Sequence, residues 1–163
     1  MKTLLLMRHA KSSWKDDSLD DFDRGLSGRG KKDSPRMGEL LKEEGLLPDY
    51  LVTSSARRAR KTADQVALAS GFRGECRLTE ELYLAGPDKI LEVICQTPDT
   101  CQRLLVIGHN PGLEEFLERH LGTYTPLATA ALAHLEIAID AWQALLPETR
   151  FVLARLWQPR ELA

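Results

Sequence analysis

Two histidines of the sequence each follow a short apolar segment. His9 comes after residues 3–7, with Arg8 between them. His109 comes after residues 104–107, separated from them by one glycine. A neutral imidazole is a nucleophile toward phosphorus, and a protonated imidazole donates a charged hydrogen bond to a phosphoryl oxygen. The pair therefore indicates phosphoryl chemistry, provided that the fold brings both rings to one place.

A cluster of cations follows a third apolar segment, residues 50–53. Arg57, Arg58 and Arg60 fall in the first turn of a predicted helix, where positive charge opposes the helix dipole. A bound anion would offset that cost, because free backbone N–H groups and guanidinium groups both suit phosphate. Neighbouring arginines also lower the pKa of a histidine and so favour its neutral, nucleophilic form. We therefore expect a phosphate pocket built from arginines, with two histidines at its mouth.

The elements that would position these residues alternate between strand and helix over about the first 120 residues. This alternation predicts βαβ units and a mostly parallel sheet covered by helices on both faces, with ligands bound at the carboxyl ends of the strands. Two further strands follow, and they are expected to close the sheet as a hairpin. The expected strands are 3–7, 50–53, 76–78, 103–108, 131–139 and 151–157. The expected helices run from Ser27 to Gly45, from Ser54 or Ser55 to about Ser70, from Pro87 to Ile94 and from Pro111 to Gly122.

Composition narrows the class of protein. The chain has 163 residues, which favours a single domain over residues 1–163. Its net charge of −2 argues against a nucleic-acid-binding protein, which would carry a basic excess. The apolar runs fall short of the ~18 residues that a membrane span needs. The absence of a secretory signal and an odd number of cysteines outside any CxxC pattern favour a cytoplasmic protein with reduced, buried thiols.

Three of these segments resemble motifs of one family. Residues 4–10 are similar to the opening Arg-His-Gly motif of the histidine phosphatase (phosphoglycerate mutase-like) superfamily, with Ala10 in place of the glycine. The Arg-Ala-x-x-Thr pattern that begins at Arg58, preceded by Ser54, resembles its helix start. Residues 106–111 resemble its second histidine motif. Residues 23–30 and the short chain resemble the branch of small phosphohistidine phosphatases.

The resemblance implies a role for each matching residue. His9 attacks phosphorus and becomes a phosphohistidine, while Arg8, Arg58 and His109 hold the phosphoryl oxygens. It implies a three-layer α/β/α sandwich of the phosphoglycerate mutase type, without a large cap. No metal or other cofactor is implied, because arginines and an imidazolium replace Mg²⁺. Zinc binding by the two histidines is disfavoured, since no cysteine or carboxylate stands at ligand spacing beside them.

Two further contacts are expected to assist substrate binding, from Arg24 and from Asn110. Arg24 has an equally supported structural interpretation, in which it pairs with an acidic neighbour such as Asp21 or Asp23. The acidic loop that contains them also carries Trp14. That tryptophan is either a lid or contact residue of the site or, on the simpler interpretation, an anchor that holds the loop by covering apolar surface.

The general acid is the position that the sequence leaves open. Glu80 or Glu81 aligns with the acid of larger family members, although both are also typical surface charges. An alkoxide leaving group needs a proton donor, whereas an imidazole with a pKa of ~6.5 needs little help. A site without a clear acid and without room for a cap favours phosphohistidine in a protein.

The predicted protein is therefore a monomeric phosphatase whose substrate is a phosphorylated protein in a signalling relay. Two alternatives stay open at this point. One is a small-molecule phosphomonoesterase or mutase of the same superfamily, acting on a small phosphate ester. The other is a non-catalytic module that binds phosphate or a phosphoprotein.

Overall fold

Six strands form one sheet in the computed structural model, which describes residues 1–162. The strands are β1 (Lys2–Arg8), β2 (Tyr50–Ser54), β3 (Glu75–Thr79), β4 (Arg103–Gly108), β5 (Leu132–Ile137) and β6 (Val152–Trp157). Their order across the sheet is β3-β2-β4-β1-β5-β6. The first four strands in that order pair in parallel, and β5 and β6 extend the sheet as antiparallel neighbours. The mostly parallel sheet and the antiparallel closure of one edge are confirmed.

Four helices cover the two faces of this sheet: α1 (Gly28–Glu43), α2 (Arg57–Ser70), α3 (Pro87–Cys95) and α4 (Gly112–Leu121). Alternate residues of β1 point into different layers. Leu5 and Met7 share a core with α1 and α2, while Leu4 and Leu6 share a core with α3 and α4. A strand buried on both faces must be apolar along its whole length, which is the pattern that predicted β1 and β4. The three-layer α/β/α sandwich is confirmed.

The start of α1 follows its sequence signal, but the start of α2 does not. Ser27 is the N-cap of α1, since its hydroxyl accepts a hydrogen bond from the Gly30 N–H. The prediction that Ser54 or Ser55 caps α2 is wrong, because the cap position is Ala56 and makes no side-chain bond. Ser54 still belongs to β2, and its hydroxyl accepts from the Ala56 N–H from outside the helix.

The cysteines differ in exposure more than their sequence predicted. Cys101 is buried, Cys95 is partly buried and Cys76 is exposed, because it lies on the edge strand β3. Burial raises the pKa of the Cys95 thiol, and it raises that of Cys101 to about 11. No helix within residues 1–162 is long and apolar enough to cross a membrane.

Candidate active site

The sheet order brings the predicted site residues to one edge. Strands β1 and β4 are parallel neighbours in register, with Arg8 opposite Gly108, so the residue that follows each strand end is a histidine. The ring centroids of His9 and His109 are 5.1 Å apart. Strand β2 lies on the other side of β4 and leads directly into α2, which carries Arg58. The three motif segments therefore meet at the carboxyl ends of three adjacent strands.

A cavity of about 230 Å³ opens at this edge. Its lining contains the four predicted catalytic residues and both predicted auxiliary residues. The lining residues are Arg8, His9, Lys11, Ser12, Trp14, Arg24, Arg58, Leu84, His109, Asn110 and Thr129.

The His9 ring presents one defined nitrogen to the arginines. Its Nδ1 lies 2.8 Å from the carbonyl oxygen of Ala10, which only accepts hydrogen bonds, so Nδ1 carries the proton. Nε2 then keeps its lone pair and lies 3.4 Å from Nε of Arg58. Burial, together with the charges of Arg58, Arg8 and Arg24, lowers the pKa of His9 to about 4, although the bond to Ala10 opposes the shift. The ring is therefore neutral at pH 7, with Nε2 as its nucleophilic atom.

The His109 ring is oriented by a serine. Its Nε2 lies 2.7 Å from Oγ of Ser54, which already accepts the Ala56 N–H. When the serine hydroxyl donates to Nε2, the proton of the ring resides on Nδ1, which has no partner among residues 1–162. Burial first, and then the neighbouring His9 and Arg58, lower the pKa of His109 to about 3. In that tautomer His109 offers a neutral N–H donor, and a phosphate dianion acts to raise its pKa.

Thr62, four residues after Arg58, links the first turn of α2 to the segment that carries His9. Its hydroxyl donates to the carbonyl oxygen of Arg58 at 2.7 Å and accepts the backbone N–H of Ala10 at 3.0 Å. The first turn of α2 is therefore tied to the residue after His9. Ala10 is completely buried here, so the methyl group that replaces the family's glycine is accommodated in the core.

Arg8 and Asn110 share one backbone anchor. The carbonyl oxygen of Leu127 accepts from Nη1 of Arg8 at 3.2 Å and from Nδ2 of Asn110 at 2.9 Å. The Leu127 N–H in turn donates to Glu114 at 2.7 Å. Nε of Arg8 and Oδ1 of Asn110 are buried without partners in the described part of the chain. Both side chains are thus held at the pocket with polar atoms to spare.

Asp21 is a site residue that sequence reasoning named only as a partner for Arg24. Its carboxylate lies 2.8 Å from Nη1 of Arg24 and 3.0 Å from Nη2 of Arg58, and it accepts the hydroxyl proton of Tyr83. Burial acts to raise its pKa, but the hydrogen bonds from Tyr83, Arg24 and Arg58 together hold it at about 2. Of the alternatives left open, Arg24 both pairs with Asp21 and lines the pocket. Asp23 is not its partner.

The two candidate acids lie outside the pocket. They belong to a 3₁₀ turn, Glu80–Leu82, that turns Leu82 into the core and leaves both carboxylates exposed. Glu81 pairs with Arg77 at 3.5 Å. The geometry agrees with the interpretation of Glu80 and Glu81 as surface charges.

Tyr83, which follows the 3₁₀ turn, reaches the site instead. Its ring packs edge-on against His109 with 5.5 Å between centroids. Nothing in the sequence pattern distinguished this tyrosine from other loop aromatics.

Trp14 has a different partner from the one predicted. It is 71% exposed, and its ring covers the guanidinium of Arg24, with 3.2 Å between Cζ and the ring centre. The prediction that it covers apolar surface is wrong, because a stacked cation takes that place.

Within residues 1–162 no group of three or more histidine, cysteine or carboxylate side chains is arranged to hold a metal ion.

Comparisons with known proteins agree with this geometry. Residues 4–83 match the family model of the histidine phosphatase superfamily (branch 1). A chloroplastic protein of Arabidopsis thaliana is 32% identical over 152 residues, which cover 87% of this chain and 69% of that protein. A 2,3-bisphosphoglycerate-dependent phosphoglycerate mutase of Streptomyces griseus is 45% identical over 96 residues, but these cover 53% of this chain and 38% of the mutase. Two Mycobacterium tuberculosis relatives are matched over 63% of their length.

Comparison with solved structures extends the similarity to nearly the whole chain. SixA from Agrobacterium tumefaciens, a candidate phosphohistidine phosphatase, superimposes with a TM-score of 0.83 at 26% identity. The superposition covers 97% of this chain and 98% of SixA. Since the family model spans His9 and Arg58, and the SixA fold also spans the His109 segment, the chain belongs to the histidine phosphatase superfamily.

Proposed function

We propose that this protein is a phosphatase that removes the phosphoryl group from phosphohistidine in a protein. The observation that carries the proposal is the make-up of the pocket. It combines a neutral histidine whose Nε2 is unprotonated, three arginines, a lysine and a second histidine, and its lining within residues 1–162 includes no carboxyl group. Such a pocket holds a phosphoryl group and supplies a nucleophile, but it offers no carboxylic acid to protonate an alkoxide leaving group.

In the first step, the Nε2 lone pair of His9 attacks phosphorus. The N–P bond of the substrate breaks, and its electron pair returns to the nitrogen of the leaving imidazole. That ring leaves as a neutral molecule once its other nitrogen holds a proton from solvent, and its ordinary pKa of ~6.5 makes this proton available near pH 7. Nδ1 of His9 keeps its proton and donates it in a hydrogen bond to the Ala10 carbonyl oxygen. This hydrogen bond stabilises the positive charge that the phosphorylated ring acquires.

The arginines and His109 hold the equatorial oxygens during both steps. Arg8, Arg24 and Arg58 bring permanent positive charge, and the free Nδ1–H of His109 adds a directed donor. Asp21 orients Arg24 and Arg58 in advance, so that little reorganisation accompanies the reaction. In the second step water attacks phosphorus, the N–P bond to His9 breaks, and its electron pair returns to Nε2. The water protons pass to solvent and to the phosphate product.

The relatives support two substrate classes unequally. The likeness to SixA covers almost the whole chain, and the pocket is open at the surface, which suits a side chain of another protein. The likeness to the mutase favours a small phosphate ester, but it covers about half of this chain. We therefore place protein phosphohistidine first, and a small-molecule phosphomonoesterase or mutase activity second. The monomeric state remains a prediction.

The proposal is tested by trapping the phosphoenzyme. Wild type, His9→Ala and His134→Gln are mixed briefly with phosphoramidate or a phosphohistidine peptide, quenched in alkali that spares N–P bonds, and weighed intact by mass spectrometry. His134 is a suitable control because it lies on β5 and bonds to Glu136. We expect one added phosphoryl group on wild type and on His134→Gln, and none on His9→Ala.

Substitution of the residues that donate hydrogen bonds to the phosphoryl group measures how much each contributes to the turnover rate. Arg8→Ala, Arg58→Ala and His109→Ala are each expected to lower the turnover rate by about 10²–10³. An adduct on His9→Ala would exclude the proposed mechanism. Without any adduct or phosphate release on either donor, or on an aryl phosphate, the protein is better described as a phosphate-binding module.

A further inference from the structure

Two exposed apolar side chains stand at the pocket that holds His9. Trp14 is 71% exposed and Leu84 is 56% exposed, and both belong to the pocket lining. The other large apolar side chains that are exposed in the described part of the chain do not line this pocket. The rest of its lining is mostly charged or polar, so two apolar side chains stand at the rim of a cationic interior.

The geometry of phosphoryl transfer places the leaving group at this rim. The attacking and leaving atoms lie roughly in line on opposite sides of phosphorus. His9 is only 7% exposed, whereas Trp14 and Leu84 are mostly exposed, so the nucleophile lies deeper in the pocket than these two side chains. The leaving group therefore points outward, toward the exposed side chains. The arginines hold the oxygens between these two ends.

Trp14 offers a flat surface that is held in place. One face of its ring lies on the guanidinium of Arg24, which is itself 6% exposed. Arg24 is fixed by the carboxylate of Asp21, the hydroxyl of Ser12 and the carbonyl oxygen of Ser13. An indole that rests on an immobilised cation loses little further freedom when a second ring packs against it.

Leu84 reaches the pocket from another segment, the one before α3. It follows Tyr83, whose ring packs against both His109 and Phe22. Its backbone is left-handed, with φ +50°, a conformation that is unfavourable for leucine. Ala85, which follows, is 9% exposed and anchors the turn. The chain thus holds a leucine outward at a position where glycine would be less strained.

We propose that Trp14 and Leu84 form a subsite for a planar aromatic leaving group, which under the proposed function is the imidazole ring of phosphohistidine. The inference rests on the proposed function and adds its source of selectivity. Donors whose leaving group is a ring gain contacts with the indole and the leucine. Phosphoramidate, which releases ammonia, fills only the phosphoryl part of the pocket.

The test compares donors with and without a ring. Steady-state kinetics are measured for wild type, Trp14→Ala, Trp14→Phe and Leu84→Ala on a phosphohistidine peptide and on phosphoramidate. We expect Trp14→Ala to raise KM for the peptide about fivefold more than KM for phosphoramidate, as one lost aromatic contact predicts. Trp14→Phe keeps a ring and is expected to restore most of this difference, and Leu84→Ala to show a smaller one.

A control removes exposed apolar surface elsewhere. Leu68 on α2 is 79% exposed and lies outside the pocket lining, so Leu68→Ala is expected to leave both KM values unchanged. Thermal melting of each variant checks that the fold is intact. Equal losses on both donors would mean that Trp14 acts only by positioning Arg24, and would overturn the proposal, as would an unchanged peptide KM.

The same variants separate this proposal from the proposed function. If wild type hydrolyses neither N–P donor but hydrolyses phosphate esters, the proposed function fails. The subsite is then judged on an aryl phosphate against an alkyl phosphate. A selective loss on the aryl ester in Trp14→Ala would uphold it, and an equal loss on both esters would refute it.

Discussion

His9 acquires its nucleophilic form from two kinds of neighbour. The Ala10 carbonyl fixes the proton on Nδ1, while burial and three arginines keep the ring neutral. Since the pKa of His9 is about 4, kcat/KM of wild type is expected to stay level from pH 7 down to about pH 5. It should fall only as the pH approaches 4, after correction for the ionisation of the donor. A loss centred near the ordinary histidine pKa of ~6.5 would contradict this account.

The same shift makes the folded protein sensitive to acid. His9 and His109 titrate at about 4 and about 3 when folded, below the unfolded value of 6.5, so the unfolded chain binds more protons below pH 6.5. The free energy of unfolding is therefore expected to fall as the pH drops from 6.5 toward 4. When the free energy of unfolding is measured with urea and plotted against pH, the slope for His9→Ala should be smaller than that for wild type by up to about 1.4 kcal/mol per pH unit. A slope identical to that of wild type would show that His9 does not titrate low.

At the scale of elements, the start of α1 clamps the loop that follows His9. The carbonyl oxygen of Lys11 accepts the N–H of Ser27 at 2.9 Å. A Cβ at Gly30 would lie 2.2 Å from that oxygen, whereas a Cβ at Gly28 would have no neighbour within 4 Å. Gly30→Ala is thus expected to cost about 1–3 kcal/mol in the free energy of unfolding and to lower turnover. Gly28→Ala, on the same helix, is the matched control and should be close to wild type; equal stability of the two variants would exclude the clamp.

The elements themselves were largely predictable, because their signals are local. Apolar runs marked β1 and β4, Ser27 marked the start of α1, and Gly71 and Gly122 end α2 and α4 in left-handed conformations. The start of α2 was not predictable in the same way. Ser54 is a residue type that commonly serves as an N-cap, but its hydroxyl contacts His109, which is 55 positions away in the sequence. Asp21 and Tyr83 were missed as site residues for the same reason, since only the folded sheet brings them together.

At the scale of the whole molecule, the net charge is −2, but the pocket is lined by several cationic side chains. Inorganic phosphate should bind there and raise the melting temperature of wild type, by the equivalent of about 2.7 kcal/mol at a concentration of 100 times Kd. Arg58→Ala is expected to lose most of this stabilisation. Arg60 is exposed on the same helix and outside the pocket, so Arg60→Ala should keep it. Differential scanning fluorimetry across a phosphate series measures both, and equal shifts in the two variants would place the anion elsewhere.

In the proposed mechanism, the hydrogen bond between the His9 ring and the Ala10 carbonyl also determines the regiochemistry of the phosphoenzyme. A free histidine can be phosphorylated at either nitrogen, but here Nδ1 is occupied by its proton and its carbonyl partner. We therefore expect the adduct to be a single regioisomer, the tele-phosphohistidine, whichever isomer the substrate carries. In that adduct the Ala10 carbonyl would keep the ring protonated at Nδ1, and a protonated ring is a good leaving group when water attacks, so we expect a short-lived intermediate.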